Sequence, residues 1–492
     1  MRLLHIIERL QEKEILFQGE VDREITALLT DSRIKGKNSL FICLRGGKVD
    51  SHSCVKQAIR NGAVAVVCEE KLDVDVPQIL VKDTRESLSI LAAAFYGYPS
   101  EKMKMIGITG TNGKTTTAHM FAEICKKAGK KVGVIGTLGI SYGRKKINSD
   151  LTTPDPIFLQ KTLSDMCISG VEYVVMEVSA HALYYKKTLG VAFDACIFTN
   201  LTQDHLDFFE DMQAYKAAKT VLFAPDFCPI AILNGDDEVG REIARLREES
   251  GKKTLFYGLN TPSDAFAVIA TEGLHGTECV LNIEDNLCRV SLKLMGQHNV
   301  YNALAAASCA FEFGFSLEAV AKGLSALEGV EGRLQRIGNH HGAEIYVDFA
   351  HTPDGLKKSI NTLKKYAKGR VVCLFGCGGN RDRSKRAIMG EIAAKYADFS
   401  ILTSDNPRYE DPLDIIAAIE KGYRRFSSKY VVVPNRETAL DYALDFLKKQ
   451  DVLLVAGKGG EDYQEIMGIK YPFNDQTVLE KLMGQKGKEI HF

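Results

Sequence analysis

A short glycine turn followed by lysine and threonine carries the clearest chemistry in the sequence. The segment Gly110–Thr116 reads G-T-N-G-K-T-T and follows an apolar stretch at 105–108. Apolar residues then recur at helical spacing until Gly129. Strand, glycine turn and helix form a phosphate-binding arrangement, because backbone N–H groups and the helix N-terminus face the anion. We therefore predict that Lys114 contacts terminal phosphates and that the Thr115 hydroxyl binds Mg²⁺.

The glycine turn is shorter than the common phosphate-binding loop. In the longer G-x-x-x-x-G-K-[ST] pattern the first glycine would fall at position 108, which is Ile108 here. A short Gly-Lys-Thr match also occurs in ordinary turns, so the motif alone leaves a plain turn open. The flanking strand and helix favour nucleotide binding, with predicted contacts at Gly110, Thr111, Asn112, Gly113, Lys114, Thr115 and Thr116.

Polar clusters also follow two other predicted strands, at 173–178 and 195–200. Glu177 closes the first of them, and His205 lies in the polar run after the second. The carboxyl ends of parallel strands share one sheet edge, where ligands bind. A carboxylate there is a natural Mg²⁺ ligand beside a phosphate-binding loop, although a lone glutamate is often only a cap.

The elements that must position these groups alternate between strand and helix along the chain. This alternation predicts an α/β protein, and its length predicts about three domains. We expect a small N-terminal α/β domain at 1–102 and a central P-loop ATPase-like domain with a mostly parallel sheet at 103–330. A Rossmann-like domain should occupy 331–492.

Three loops after strands of the predicted third domain carry charges of both signs. They lie at 380–383, 404–408 and 457–461 and combine two arginines, an amide and a carboxylate. Arginine binds a carboxylate with two parallel hydrogen bonds, and glutamate can hold an ammonium group. The set therefore suits a zwitterion, the alternative being a solvated loop face. The G-C-G-G at 376–379 lacks the full dinucleotide-binding pattern.

Charge and apolar patterning exclude several partner classes. Lys plus Arg and Asp plus Glu each number 63, so the net charge is zero and no global field attracts nucleic acid or an anionic membrane. The apolar runs are far shorter than the ~20 residues that span a bilayer. Twelve scattered cysteines in a chain without a signal-peptide core favour reduced thiols. We expect a soluble, cytoplasmic monomer.

With these motifs in order, the chain resembles the Mur ligase family over essentially its full length. The resemblance begins at the phosphate-binding loop, T-G-T-N-G-K-T-T at 109–116. The further motifs are E-V-S-x-H at 177–181, T-N-L-x-x-D-H-L-D at 199–207, Y-x-x-A-K at 215–219, G-x-H-N-x-x-N at 296–302, G-R at 332–333, V-D-x-A-H-T-P at 347–353, G-C-G-G-x-R-D at 376–382 and A-G-K-G-x-E-D-Y-Q at 456–464.

The resemblance implies an ATP-dependent ligase that forms an amide through an acyl phosphate. Its three domains would bind the UDP end of the acceptor, ATP and the incoming amino acid, with two Mg²⁺ ions. D-N-P-R at 405–408 is similar to the motif of family members that add meso-diaminopimelate to UDP-N-acetylmuramoyl-L-alanyl-D-glutamate in peptidoglycan synthesis. The lysine-adding members are the main alternative. A folylpolyglutamate-synthase-like ligase and a non-catalytic nucleotide-binding module are further ones.

The family's functional residues carry over to positions that match its motifs. For catalysis and metal binding these are Lys114, Thr115, Glu177, His205 and Lys219, the last as a carbamate that holds metal. For the nucleotide they are Asn299, Arg333 and Asp348. For the UDP-linked substrate they are Thr30, Ser32, Thr152, Thr153, Ser179 and Lys187. For diaminopimelate they are Arg381, Asp405, Asn406, Pro407, Arg408, Gly457 and Glu461.

Five positions depart from the family pattern. Lys187 replaces the usual arginine, so a point charge stands where a two-pronged donor is common. The other departures, none of which removes a required group, are Leu151, Asn380, Asn435 and Gly460.

Arg408, Asn406 and Glu461 are the expected source of amino-acid selectivity. We predict that Arg408 binds the distal carboxylate of diaminopimelate, that Asn406 adds an amide contact, and that Glu461 takes the distal ammonium. Lysine lacks that carboxylate, and would on this view leave Arg408 buried without a counter-ion.

Overall fold

The N-terminal part of the chain folds around one sheet. The computed structural model describes residues 1–17, 19–46, 49–206 and 208–486. In this first region the sheet has the order β1-β5-β4-β3-β2, parallel except where β1 joins β5. The elements are α1 (Leu3–Ile6), β1 (Lys13–Leu16), β2 (Ala27–Leu29), β3 (Ser39–Ile42), α2 (Val55–Arg60), β4 (Ala63–Cys68), β5 (Gln78–Val81) and α3 (Thr84–Phe95).

Helix α3 is shorter than the sequence pattern 83–98 suggests. Asp83 lies outside the helix and caps it, since its carboxylate accepts hydrogen bonds from the N–H groups of Arg85 and Glu86. Tyr98 has a positive φ of 52° and precedes Pro99, so the helical conformation cannot continue there.

The central region contains a large mixed sheet. Its first elements are β6 (Lys104–Thr109), α4 (Lys114–Lys127), β7 (Val132–Gly136), β8 (Gly139–Tyr142), β9 (Lys145–Ile147), α5 (Pro156–Ile168), β10 (Tyr173–Glu177), α6 (Ala180–Tyr184), β11 (Ala195–Phe198) and α7 (Met212–Thr220). It continues with β12 (Ile230–Asn234), α8 (Glu238–Arg247), β13 (Lys253–Gly258), β14 (Ala265–Gly273), β15 (Gly276–Ile283), β16 (Asn286–Leu292), α9 (Gln297–Glu312) and α10 (Leu317–Ala326).

The strand order of this sheet is β16-β15-β14-β13-β12-β11-β6-β10-β7-β8-β9. The stretch from β14 to β7 is parallel, which confirms the predicted mostly parallel sheet. Both edges are antiparallel, a feature the sequence analysis missed. In β15 buried and half-buried residues alternate, as expected for a strand with one face on the core.

The last region is a Rossmann-like sheet with a small hairpin. The sheet has the order β17-β18-β22-β19-β20-β21, and β23 pairs with β24. The elements are β17 (Gln335–His340), β18 (Ala343–Asp348), α11 (Pro353–Tyr366), β19 (Val371–Phe375), α12 (Ser384–Tyr396), β20 (Phe399–Leu402), α13 (Pro412–Tyr423), β21 (Tyr430–Val432), α14 (Arg436–Phe446), β22 (Val452–Ala456), β23 (Tyr463–Ile466), β24 (Ile469–Pro472) and α15 (Asp475–Lys486).

Packing on both faces of these sheets fixes their carboxyl edges. Helices α4 and α9 cover one face of the central sheet in a continuous apolar core, and a second core fills the opposite face. The polar loops therefore project from a rigid frame. In the part of the chain that the structure describes, no helix combines the length and apolarity needed to cross a membrane.

Candidate active site

The glycine turn before α4 has a backbone that only glycine accommodates. Gly110 and Gly113 have φ values of 141° and 90°. A Cβ on Gly110 would lie 1.9 Å from Thr199 Oγ1, and one on Gly113 would lie 2.4 Å from Asn302 Oδ1. The turn therefore packs directly against the loop after β11 and against α9. The turn leads directly into α4, so its backbone N–H groups lie at the N-terminus of that helix.

A buried lysine, Lys219, and a half-buried one, Lys114, meet at this turn. Lys114 Nζ donates to the carbonyl oxygens of Gly110 at 2.8 Å and Thr111 at 2.9 Å. Lys219 Nζ, on α7, donates to the Gly110 carbonyl oxygen at 2.9 Å. Burial, followed by the repulsion of Lys114, holds the pKa of Lys219 well below its ordinary value. The pKa of Lys114 is also lowered, chiefly by burial.

Glu177 organises an oxygen-rich cluster beside the turn. Its Oε2 atom accepts hydrogen bonds from Thr115 Oγ1 at 3.0 Å and Thr137 Oγ1 at 3.1 Å, and its Oε1 atom accepts one from the Thr137 N–H at 2.9 Å. Arg333 Nη2 donates to Thr115 Oγ1 at 3.1 Å, which links the last region to the phosphate-binding turn. The oxygens of Thr115 and Glu177 are the ligand type that Mg²⁺ prefers.

His205 lies in the polar loop after β11. Its Nε2 atom is 3.5 Å from Asp204 Oδ2, and its ring packs edge-on against His181 at 4.9 Å between centroids. Burial, opposed by Asp204, lowers the pKa of His205 to about 4, so the imidazole is neutral near pH 7. Asp207, the last residue of the motif at 199–207, lies outside the described residues.

Two side chains predicted to contact the nucleotide form hydrogen bonds within the protein. Asn299 Nδ2 donates to the Met295 carbonyl oxygen at 2.8 Å, and Asn299 Oδ1 accepts from Asn302 Nδ2 at 3.0 Å. Asp348 accepts from Ser359 Oγ at 2.9 Å, and burial raises its pKa. Both side chains thus stabilise loops behind the phosphate-binding turn.

The predicted contacts of the UDP-linked substrate fall into two groups. Thr153 Oγ1 donates to the Glu177 carbonyl oxygen at 2.8 Å, and the Ser179 N–H donates back to Thr153 Oγ1 at 3.0 Å. Thr152 Oγ1 is 3.2 Å from Thr137 Oγ1, so these residues border the Glu177 cluster. Lys187 pairs with Asp155 at 2.7 Å.

The second group lies on the N-terminal sheet. Thr30 and Ser32 follow β2, and Ser32 Oγ donates to Gln57 Oε1 at 3.2 Å. Asn61 Nδ2 donates to the Ser32 carbonyl oxygen at 2.7 Å, which fixes this loop against α2.

A fully buried lysine, Lys458, joins the two loops predicted to bind the amino acid. Its Nζ atom donates to Asn406 Oδ1 at 3.1 Å, to Glu461 Oε2 at 3.0 Å and to the Tyr463 carbonyl oxygen at 2.6 Å. Asn406 Nδ2 also donates to Glu461 Oε2, at 2.8 Å. The predicted amide and carboxylate therefore lie together, already linked by a lysine that the sequence analysis did not assign.

Arg408 has a counter-ion of its own. Its Nε atom donates to Glu465 Oε2 at 3.0 Å, and its Nη1 atom donates to the Gly379 carbonyl oxygen at 2.8 Å. The expectation that a bound lysine would leave Arg408 without a counter-ion is therefore wrong, because Glu465 supplies one. No local pattern marked Glu465, since the contact depends on the β23–β24 hairpin folding back onto residues 406–408.

The remaining predicted amino-acid contacts surround this pair. Gly457 has a φ of 115°, and a Cβ there would lie 2.4 Å from Asp405 Oδ2. The Asn406 N–H donates to Asp405 Oδ1 at 2.7 Å, with Pro407 next in the turn. Arg381 is exposed at the rim.

A buried ion pair anchors both amino-acid loops from behind. Arg436 Nε donates to Asp475 Oδ1 and Arg436 Nη2 donates to Asp475 Oδ2, each at 2.7 Å, and both side chains are fully buried. Arg436 also donates to the carbonyl oxygens of Ser404 and Ala456, each at 3.1 Å. Ser404 is the first residue of the loop at 404–408, and Ala456 immediately precedes the loop at 457–461, so the ion pair fixes where each loop begins.

Comparisons with known proteins match the chain in three consecutive segments. The family models are the Mur ligase family, catalytic domain at residues 24–96, the Mur ligase middle domain at 108–310 and the Mur ligase, glutamate ligase domain at 332–459.

Individual relatives cover nearly the whole chain. A UDP-N-acetylmuramoyl-L-alanyl-D-glutamate–2,6-diaminopimelate ligase from Geobacillus kaustophilus is 41% identical, covering 99% of this chain and 100% of the relative. A solved structure of a ligase with that name is 30% identical, with a TM-score of 0.69 and coverage of 94% and 95%. The MurF ligase from Thermotoga maritima in complex with ADP shares the fold at 20% identity, with a TM-score of 0.63 and coverage of 94% and 98%.

Proposed function

This chain belongs to the Mur ligase family, and we propose that it is the ATP-dependent, ADP-forming ligase that adds meso-2,6-diaminopimelate to UDP-N-acetylmuramoyl-L-alanyl-D-glutamate. The product is a precursor of cell-wall peptidoglycan. The observation that carries the proposal is the convergence of Arg408, Asn406 and Glu461 at one sheet edge, where groups of both charges suit a zwitterionic amino acid. The relative that is 41% identical bears this activity in its name.

We assign one substrate to each region. Residues 1–102 bind the UDP end of the acceptor, residues 103–330 bind ATP, and residues 331–492 bind the amino acid. The contact of Arg333 with Thr115 supports a reaction centre at the junction of the last two regions. A second contact across this junction, from Asn112 Nδ2 to Asp354 Oδ2 at 3.2 Å, supports the same placement.

The first chemical step activates a carboxylate. An oxygen of the D-glutamyl γ-carboxylate attacks the γ-phosphorus of ATP, and the bond to the bridging oxygen breaks, which releases ADP. Lys114 neutralises charge on the phosphates, and it must exchange its bonds to Gly110 and Thr111 for phosphate oxygens to do so. Such positioned charge accounts for most of the catalysis in phosphoryl transfer.

The second step forms the amide. The diaminopimelate amine attacks the acyl carbon and loses a proton to solvent, and the acyl–phosphate bond breaks as inorganic phosphate leaves with the bonding electrons. The residues at 381, 405–408, 457 and 461 hold the amino acid so that its amine reaches the acyl carbon. Thr152, Thr153, Ser179 and Lys187 hold the acceptor near Glu177.

Mg²⁺ fits the donor set that surrounds the phosphate-binding turn. Thr115 and Glu177 would supply adjacent oxygens to the ion. Lys219, as a carbamate, would hold a second Mg²⁺ ion, because an amine does not suit Mg²⁺ whereas a carbamate oxygen does. His205 borders this region. Bound Mg²⁺ would neutralise charge on the transferred phosphoryl group.

Asn299, Arg333 and Asp348 shape the nucleotide pocket in this proposal, and Thr30 and Ser32 contribute to the UDP pocket. We propose that the enzyme works as a monomer in the cytoplasm, where ATP and nucleotide-linked precursors are available. Size-exclusion chromatography with light scattering tests the oligomeric state, and fractionation of cells that produce the protein tests its location.

The test of function supplies UDP-N-acetylmuramoyl-L-alanyl-D-glutamate, ATP and Mg²⁺, with meso-diaminopimelate or L-lysine in separate reactions. We expect ADP release only with the acceptor, and a product whose mass includes diaminopimelate. Preferential lysine incorporation would identify the lysine-adding alternative. ATP turnover that ignores the acceptor would contradict the ligase assignment altogether.

A further inference from the structure

Helix α11 lies between the sheet of the last region and the nucleotide site of the central region. We propose that Glu272 and Lys365 are positioning residues for the ligase reaction, because their ion pair holds the far end of α11 against the central region. This inference rests on the function proposed above and deepens it, since it identifies residues outside the assigned substrate contacts that set the geometry of the reaction centre.

The two faces of α11 have different partners. One face carries the buried apolar residues that belong to the core of the last region, namely Leu356, Ile360 and Leu363. The other face carries Asp354, Thr362 and Lys365, which recur at helical spacing. Each of these three side chains contacts or closely approaches the central region. The helix is therefore the element through which the last region docks on the nucleotide site.

The first half of α11 contacts groups of the reaction centre. Asp354 Oδ2 accepts from Asn112 Nδ2 of the phosphate-binding turn at 3.2 Å. Further along the helix, Ser359 Oγ donates to Asp348 Oδ1 at 2.9 Å, and Asp348 is a predicted nucleotide contact. The position of α11 thus determines where Asp348 lies relative to the phosphate-binding turn.

The second half of α11 packs tightly against the start of α9. Gly296 caps α9 with a φ of 91°, and a Cβ there would lie 2.9 Å from Thr362 Cγ2. Such a close approach leaves no room for a side chain between the two helices. Asn299, another predicted nucleotide contact, lies in the first turn of α9. Both walls of the predicted nucleotide pocket therefore depend on how α11 is seated.

The β14–β15 hairpin reaches from the central region onto the last one. Leu274, in its turn, packs against the apolar core of the last region. The Leu274 carbonyl oxygen accepts a hydrogen bond from the Tyr346 hydroxyl at 3.3 Å. Glu272, at the end of β14, forms its ion pair with Lys365 of α11. The hairpin therefore binds both the sheet and the helix of the last region.

The charge on Glu272 requires a partner. Its side chain is only 10% exposed, whereas that of Lys365 is 60% exposed. Although burial opposes the charged form, the hydrogen bond from Lys365 leads the effects that hold the pKa of Glu272 below its ordinary value. Removal of the Lys365 charge would leave a nearly buried anion uncompensated. Glu272 would then be more stable in water, which favours separation of the hairpin from α11.

A change at Lys365 is transmitted along a rigid helix. Lys365 lies roughly 16 Å along the axis from Asp354, at 1.5 Å per residue. Release of the Lys365 end lets the helix tilt, and the contacts of Asp354 and Ser359 at the other end shift with it. A misplacement of about 1 Å far from the chemistry can lower a rate by up to about a hundredfold.

The experiment measures kcat, and KM for each substrate, on the full-length protein. Lys365→Met keeps most of the side-chain length without the charge, and we expect its kcat to fall by about fivefold or more. Lys365→Arg keeps the charge and should retain the wild-type kcat. The KM for the UDP-linked acceptor should not change in either variant, because the assigned acceptor contacts lie in the first two regions.

The neighbouring lysine supplies a matched control. Lys364 lies on the same helix, but it pairs with Asp398 of the last region at 2.6 Å. Lys364→Met should therefore keep the wild-type kcat. Thermal melting of all variants checks the fold. A lower melting temperature of Lys365→Met with an unchanged kcat would show a purely structural role and overturn the proposal. An unchanged kcat and melting temperature would overturn it as well.

Exchange of the two charges tests the pair itself. Glu272→Lys alone places two cations together and should lower kcat at least as far as Lys365→Met. The double variant Glu272→Lys with Lys365→Glu restores an ion pair and should be more active than Glu272→Lys. A double variant no more active than Glu272→Lys overturns the proposal. If Glu272→Lys does not fold, the comparison of Lys365→Met with Lys365→Arg decides.

Failure of the parent assignment would look different. Wild-type protein that hydrolyses ATP without joining an amino acid to the acceptor overturns both the proposed function and this inference. Wild-type protein that forms the amide, together with a Lys365→Met variant of unaltered kcat, overturns this inference alone.

Discussion

Lys114 and Lys219 donate to the same acceptor, the carbonyl oxygen of Gly110, at 2.8 Å and 2.9 Å. Two protonated amines on one carbonyl repel each other, and the Lys219 side chain is also buried. The arrangement therefore favours a neutral amine at Lys219. Carbamylation requires that neutral amine, so the geometry supports the reaction proposed for this residue.

Replacing Lys219 should remove most of the ligase activity. We expect the ligase activity of Lys219→Ala to fall by about a hundredfold or more, because the variant cannot form the carbamate proposed to hold a second Mg²⁺. Added short carboxylates should restore part of the rate by supplying oxygen ligands. Intact-protein mass under carbon dioxide tests for the adduct. The control is Lys216→Ala, on the same helix as Lys219. It removes a lysine that pairs with Glu242 of α8, and the variant should stay active.

The lowered pKa of Lys219 also makes a prediction about stability. The unfolded lysine titrates near pH 10.4, and burial places the folded pKa well below that. Between these two values the unfolded state binds more protons, so raising the pH stabilises the fold. In carbon-dioxide-free buffer, Lys219→Met should therefore be more stable than wild type near about pH 7, with the difference shrinking toward pH 10. Urea denaturation across this range measures it, and a constant difference would contradict the assignment.

Removing Lys114 should abolish ligation without unfolding the protein. Lys114→Ala loses the cation that neutralises the terminal phosphates, a change worth at least about a tenfold loss in rate. Circular dichroism and thermal melting check the fold, and Lys126→Ala, on the exposed side of α4, serves as the comparison. A folded Lys114→Ala protein that keeps more than about a tenth of the wild-type rate would refute this role.

Arg408→Ala should change the preferred amino acid as well as the rate. Diaminopimelate loses the partner of its distal carboxylate, and hydrogen bonds to charged groups contribute about 1.5–3 kcal/mol, or roughly tenfold to a hundredfold. Lysine should gain, because Glu465 is left as an unpaired anion that attracts its ammonium. Competition assays with both amino acids, analysed by product mass, should show the lysine share rising. A uniform loss for both amino acids would argue against the assigned role.

The buried pair behind the amino-acid loops should control stability and amino-acid affinity separately. Arg436→Met leaves Asp475 buried without a partner, which costs about 3–5 kcal/mol in free energy of unfolding. The double variant Arg436→Met with Asp475→Leu should recover much of that stability. It should still show a raised KM for the amino acid, because Ser404 and Ala456 lose their anchors. Lys481→Met, which breaks an exposed pair with Glu437, should change stability by less than about 1 kcal/mol.

Local sequence patterns were sufficient to predict the central strands and the phosphate-binding turn. Apolar runs such as 63–68 and 452–456 become buried strands, and the glycine turn at 110–113 precedes α4 as predicted. The antiparallel edge strands β8, β9, β15 and β16 were missed, although the alternation of polar and apolar residues in β15 was visible. Continuous apolar runs are typical of strands buried on both faces, and they mark the central strands but not these edges.

The contacts that complete the site could not be found from local patterns. Arg408 and Glu465 are separated by 57 positions, and Arg436 and Asp475 by 39. Each pair forms only because separate elements pack together. Motif matching identified Asn406 and Glu461, yet it gave no sign that Lys458 links them.

The ion pair of Arg436 with Asp475 also orders events during synthesis of the chain. The strands that carry the two amino-acid loops are made before α15, on which Asp475 lies. Until that helix leaves the ribosome, Arg436 has no carboxylate partner, and the loops after Ser404 and Ala456 lack their shared anchor. Nascent chains that end before Asp475 should therefore form the phosphate-binding turn, while the loops of the amino-acid pocket lack a fixed conformation. Substrate choice is thus acquired last, as the final helix docks.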